Sequence, residues 1–131
     1  MNKSATKLLP KGTTVLAITG ATLGQISLLE IDTCANQSVV GILENNKIKR
    51  DFIYPLICYH IQDLMQHKTG GAQPHINKDN IENFDIRIPT ETNYIEYQNK
   101  ILPIFEYQSN LVAQNEKLKQ LKSQLLQKYF G

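Results

Sequence analysis

The chain has 131 residues, of which 41% are hydrophobic and 20% charged, with a formal net charge of +2 and no tryptophan; that is enough for one domain, or for one domain and an appendage. Residues 1–92 hold nine Lys/Arg and nine Asp/Glu, while residues 93–131 hold five Lys and three Glu, so the excess charge lies entirely in the last segment. Such a weak positive footprint argues against a protein that grips nucleic acid unaided, because phosphate neutralisation supplies most non-specific affinity. The two cysteines, Cys34 and Cys58, are too sparse for a disulfide scaffold and too far apart for a closely spaced metal-ligand pair, and read as reduced thiols of the kind that usually bury. Met1–Pro10 has no signal-like apolar stretch, and no run approaches the ~20 apolar residues of a membrane span, so the chain reads as cytoplasmic with no membrane partner.

In chain order, Thr14–Thr19 is a short run of β-formers bounded by Lys11-Gly12 and Gly20, and is predicted as a strand. Gln25–Ile31 is predicted as its hairpin partner, joined through Gly20-Ala21-Thr22-Leu23-Gly24. Asp32–Asn36 reads as turn, Ser38–Leu43 as a further strand, and Glu44–Lys49 as a polar loop. Asp51 is placed to cap a helix running to about His67, whose apolar face is Ile53, Leu56, Ile57, Ile61, Leu64 and Met65, with Pro55 early enough to be tolerated. Gly70-Gly71 ends that region, Gln73-Pro74 continues as loop, Asn77 or a neighbour caps a short helical turn, and Phe84–Ile88 alternates as a strand closed by Pro89.

The last 39 residues, Asn93–Gly131, contain no glycine before the terminal one. Ile104, Leu111, Leu118 and Leu125 recur one heptad apart, with Leu121 between the last two, which makes a narrow seam on a helix that seeks another helix. Thr92 or Asn93 is predicted to open the helix, Asn93 and Glu96 being spaced as a capping box. If wholly helical the segment is roughly 55 Å long, against a body about 30 Å across, so it should overhang. Pro103 predicts a kink or break, leaving about Ile104–Phe130 as the uninterrupted pairing segment. Gln108, Gln114 and Asn115 lie near the seam, where polar groups tend to set register and partner number. The fold class is therefore α+β: a small mixed α/β body over residues 1–92, then a long helix over residues 93–131 that pairs as a coiled coil.

Enzyme chemistry has little support. Thr19–Gly24 follows a strand as a dinucleotide-binding loop would, but Leu23 stands where a middle glycine is needed, no crossover helix follows, and no lysine serves a phosphate loop. His60 and His67 lie two helical turns apart, about 10 Å, too far to share a metal. Neither a catalytic residue nor a cofactor site is indicated. The loops carry more: Asn36-Gln37 and Gly70-Gly71-Ala72-Gln73-Pro74 combine backbone freedom with amides, and Asn and Gln can pair bidentately with adenine edges while glycine lets backbone approach a phosphate. The same amides also serve to satisfy loop backbone groups.

The succession Leu9-Pro10-Lys11-Gly12, Gly20-Ala21-Thr22-Leu23-Gly24, Asn36-Gln37, Gly70-Gly71-Ala72-Gln73-Pro74-His75-Ile76, Ile86-Arg87-Ile88-Pro89 and Gln98 with Ile101 resembles the specificity (S) subunit of a Type I restriction–modification system, from about Leu8 to Phe130. The resemblance implies the later part of a target recognition domain (1–92) attached to a coiled-coil helix (93–131). It implies that the domain reads half of a bipartite sequence in double-stranded DNA, and that the helix pairs antiparallel with a second specificity-subunit helix and docks modification subunits. Those subunits bind S-adenosylmethionine and methylate adenine, and restriction subunits add ATP-driven translocation and cleavage; the S subunit itself is non-catalytic and holds no cofactor. Candidate DNA-binding residues are Thr19, Thr22, Asn36, Gln37, Gly70, Gly71 and Gln73; candidate helix-pairing residues are Ile104, Leu111, Leu118, Leu121 and Leu125. The alternative is a truncated, self-associating coiled-coil module that modulates a full-length specificity subunit without reading DNA.

Overall fold

The computed structural model describes residues 7–66, 68–71 and 74–131, and the chain divides into two compact units at the Ile88–Pro89 junction. The first unit carries β1 (Lys7–Leu9), β2 (Thr14–Ala17), β3 (Ile26–Leu28), β4 (Thr33–Ala35), β5 (Val39–Ile42), α1 (Arg50–Gln66) and α2 (Lys78–Glu82); the second is the single helix α3 (Glu91–Phe130). All strand pairs are antiparallel, in a three-stranded sheet of order β3-β2-β5 and a two-stranded ribbon β1-β4.

β2 is the central strand, paired with β3 on one edge and β5 on the other, and it is the most buried of the five. Leu16 and Ile18 point to one face, where Ile53, Ile57 and Leu64 of α1 and Ile76 complete the buried cluster. Ile61 and Met65 of α1, Val40 and Ile42 of β5, and Ile81 and Phe84 pack around it, so the predicted apolar face of α1 does face the core. Thr14 shares that face and is fully buried, and its hydroxyl finds no hydrogen-bond partner among the described residues. The opposite face of β5 is shaped by Gly41, since successive strand residues point to opposite sides. A Cβ there would stand 2.7 Å from Leu9 Cδ2 and 3.2 Å from Thr13 Cγ2, so the bare glycine is what lets the β1-β4 ribbon settle on the sheet with Leu9 buried. Gly41→Ala is expected to overpack this contact and lower stability by about 1–3 kcal/mol, seen as a reduced thermal midpoint; an unchanged midpoint would show that the ribbon shifts freely.

The local reading needs four corrections. Asp32–Asn36 is not simply turn, because Thr33–Ala35 forms β4 against β1, with Leu9 opposite Thr33 and Lys7 opposite Ala35. Phe84–Ile88 is not a strand: Phe84 and Ile86 are half-buried and Asp85 and Arg87 exposed, but Ile88 is exposed as well, and no strand among the described residues pairs with the segment. Asp51 stands inside the first turn of α1, buried, rather than ahead of it, while the amides of Phe52 and Ile53 donate to the Lys49 carbonyl and that of Arg50 to Glu44 Oε2 at 3.2 Å. The predicted end at His67 lies outside the described residues.

The fourth correction concerns α3. Its cap is Thr90, whose hydroxyl accepts from the Asn93 amide at 3.5 Å, rather than an Asn93–Glu96 box; Glu96 instead meets Lys100 Nζ at 2.6 Å, one turn on. The expected break at Pro103 is absent, and the helix is continuous from Glu91 to Phe130. The physical reason is exposure: Pro103 removes the bond to the Asn99 carbonyl, and both residues face water, which can solvate the freed oxygen.

A candidate nucleic-acid interface

Antiparallel pairing sorts the loops of the first unit to the two ends of β2. At its start lie the Pro10–Thr13 turn, Glu30, Asp32 and the Glu44–Lys49 loop, because Thr14 pairs with Leu28 and Ile42. Charges of both signs meet there, with Lys11 Nζ 3.7 Å from Glu30 and its amide bonded to Asp32 at 2.8 Å.

The other end gathers three segments that the sequence treats as separate. Ile18 continues β2, its amide donating to the Ser38 carbonyl and its carbonyl accepting from the Ile76 amide, each at 2.9 Å. Thr19 then pairs with His75 in an isolated bridge, and His75 pairs in turn with Thr69 through two 2.8 Å backbone bonds. The Thr69 hydroxyl also lies 3.2 Å from His75 Nε2. The Gly20–Gly24 loop closes by bonds from the Leu23 amide to the Gly20 carbonyl and from the Gly24 amide to the Ala17 carbonyl. Gly24 adopts φ +85° and is seated so closely on α1 that a Cβ would stand 2.9 Å from Met65 Sδ, so this glycine answers both a backbone and a packing demand. Leu23 is drawn towards the core and Thr22 is left exposed.

Thr19, Thr22, Asn36, Gln37, Gly70 and Gly71 therefore belong to one end of the sheet, while Gln73 lies outside the described residues. The segments 19–25, 36–38 and 68–76 contain no carboxylate, and Lys68 and His75 are among them. The two amides differ in state. Asn36 Oδ1 accepts from the Ser38 amide at 2.9 Å and so builds its own turn, whereas Gln37 is exposed. Asn36 and Gln37 also line a cleft of about 370 Å³ whose other polar walls are Lys7, Lys78 and Glu82. Sequence reading missed Lys7 and Lys78: each is a single lysine in its own segment, and only the β1-β4 pairing and the placement of α2 bring them beside Gln37.

The helix candidates lie on α3, in the second unit. Ile104, Leu111, Leu118, Leu121 and Leu125 are all exposed, at 41–61% of their free surface, and every residue from Asn110 to Phe130 is exposed among the described residues. Leu126, Tyr129 and Phe130 widen the apolar surface near the end.

Other reactive groups have local duties. His60 Nδ1 lies 3.1 Å from Asp63 Oδ2, and its ring packs edge-on against Tyr59 and Phe84. Both cysteines are exposed rather than buried, because Cys34 falls on the outer face of the short ribbon and Cys58 on the outer side of α1. Burial raises the Tyr54 phenol above its ordinary value, and Cys58 one turn on adds to the effect. Among the described residues, no three His, Cys, Asp or Glu side chains gather as a metal site would require, and no helix is long and apolar enough to cross a membrane.

By family comparison, the chain belongs to the Type I restriction modification DNA specificity domain family, whose model matches residues 1–127. A similar solved structure is the S subunit of the Type I restriction–modification system from M. genitalium, with a TM-score of 0.64 and 19% identity, covering 95% of this chain and 34% of that one. The chain thus spans about a third of that subunit's length, and the likeness carries the fold.

Proposed function

We propose that the chain is a non-catalytic DNA-recognition and assembly component of a Type I restriction–modification system, working in the cytoplasm and directing adenine methylation and cleavage carried out by partner subunits. The observation that carries this reading is the convergence of Thr19–Gly24, Asn36–Ser38 and the paired Thr69 and His75 at one end of the sheet, on segments that themselves hold no carboxylate, in a chain of the specificity-domain family. Hydroxyls, amides and open backbone are suited to base edges and phosphates, and the lack of carboxylates in these segments limits repulsion from a polyanion. The near-neutral body agrees with a domain held on DNA by partners. Double-stranded DNA and the modification and restriction subunits are its partners on this reading, and S-adenosylmethionine belongs to the modification subunit.

The test is co-purification with a modification subunit, followed by titration of the complex with duplex DNA at several salt concentrations. Association is expected, with affinity falling linearly in log–log against salt. No association with either modification subunit or DNA would sink the reading.

The exposed seam of α3 favours a second role alongside the first: pairing with the helix of another specificity chain, by a second copy or a relative. Charge supports an antiparallel arrangement of two copies. The first half of α3 holds Glu91, Glu96 and Glu106 against Lys100, and the second Lys117, Lys119, Lys122 and Lys128 against Glu116, so antiparallel copies set the net negative half beside the net positive one and parallel copies set like halves together.

A further inference from the structure

Resting on the DNA-recognition reading, we propose that the cleft between the β1-β4 ribbon, β5 and α2 is where one DNA strand is held, with Gln37 reading a base edge and Lys7 and Lys78 gripping the phosphates beside it. Gln37 sits at the tip of the turn between β4 and β5, exposed and projecting from a backbone that is fixed at both ends. The turn is held by Asn36, whose side-chain oxygen takes the Ser38 amide at 2.9 Å, and by the Ser38 carbonyl, which takes the Ile18 amide at 2.9 Å. A side-chain amide offers a donor and an acceptor side by side, which matches the N6 and N7 edge of adenine in the major groove. Asn36 Oδ1 is tied to the turn by the Ser38 amide, which fixes the side chain there, so Asn36 acts as a positioning residue and the exposed Gln37 as the reader.

The cations fit the same task. Lys7 reaches the cleft because it pairs with Ala35, directly before Asn36. Lys78 reaches it from the first residue of α2, which Ile76 pins to Ile18 just upstream. Both are exposed, as point charges for phosphate should be. Glu82, also lining the cleft, opposes a phosphate and makes a further test possible.

The measurement is selection from a pool of random-core duplex DNA, together with salt titrations, on the full chain alone and bound to the modification subunit it co-purifies with. Circular dichroism melts confirm that each variant is folded. Lys7→Ala with Lys78→Ala is expected to weaken binding to every sequence, to lower the salt slope by about one for each lysine, and to leave the selected motif unchanged. Gln37→Ala is expected to do the reverse: the preference at one position relaxes, affinity for the best site falls about tenfold or more, and the salt slope holds. Asn36→Ala should blur the preference, and Asn36→Ser, which restores an acceptor for the Ser38 amide, should return it. Glu82→Gln should tighten binding uniformly. Wild-type slope in the lysine pair with wild-type selection in Gln37→Ala would remove DNA from this cleft while leaving the domain's recognition role to the Thr22 and Gly70–Gly71 loops. A wild-type protein that shows neither selection nor salt-dependent binding in either form overturns the recognition role and the cleft together.

Discussion

Leu111→Asp combined with Leu118→Asp is expected to leave the chain monomeric at concentrations where the wild type pairs, a loss of at least a hundredfold in self-association. The two leucines are 41% and 61% exposed and lie one heptad apart, so in a paired helix they occupy the same seam in successive layers. A carboxylate placed in such a layer loses its water without gaining a partner, which costs several kcal/mol for each site. The exposed ion pairs along the helix, Glu96–Lys100 and Glu116–Lys119, are local and would survive the change, so the isolated helix should lose little. Sedimentation velocity of wild type beside the double variant decides the matter. If both are monomers across the concentration range, self-pairing through α3 is excluded; if both pair, the interface lies elsewhere.

Leu64→Ala should act in the opposite place, inside the first unit. Leu64 has no exposed surface and meets Leu16, Ile18 and Ile76 at the junction of sheet, helix and the segment before α2. Truncating a leucine in a packed core costs about 2–5 kcal/mol, the transfer loss plus the cavity. A body this small has little stability in reserve, so the thermal midpoint should fall by roughly 10 to 30 °C. Leu121→Ala, on the exposed seam, should leave the midpoint of the monomer unchanged. A Leu64→Ala midpoint within a few degrees of wild type would mean that the core collapses around the gap and is less tightly packed than its burial indicates.

Legibility followed the range of the interactions. The β2-β3 hairpin, the apolar face of α1 and the length of α3 are written in local periodicity, and each is present in the fold. Thr33–Ala35 was not legible, because its partner is Lys7–Leu9 and a three-residue strand exists only where a partner does. Phe84–Ile88 shows the converse: its burial follows the alternation at Phe84 and Ile86 but not at Ile88, which is exposed, and with no strand beside it among the described residues it makes no ladder. The helix starts are hard to place at Asp51 and Asn93 because a good capping residue a few positions inside the boundary looks the same in one dimension.

The candidate interface divides in the same way. The loops that supply Thr19, Thr22, Asn36, Gln37, Gly70 and Gly71 are recognisable from composition, since glycine and amide clusters mark turns with exposed polar groups. Their convergence is not, nor is the presence of Lys7 and Lys78 beside Gln37, because strand pairing across the chain decides both.

What the sequence alone determines here is a β-rich body with one amphipathic helix, followed by a long heptad helix, since these depend on side chains within a few residues of each other. Tertiary structure alone decides that the loops share one end of the sheet, that Asn36 is occupied by its own turn while Gln37 is free to project, and that the leucines of α3 remain uncovered. Those outcomes rest on hydrogen bonds from Ile18 to Ser38 and Ile76, and on the exposure of Asn110–Phe130 among the described residues, and neither is encoded at short range.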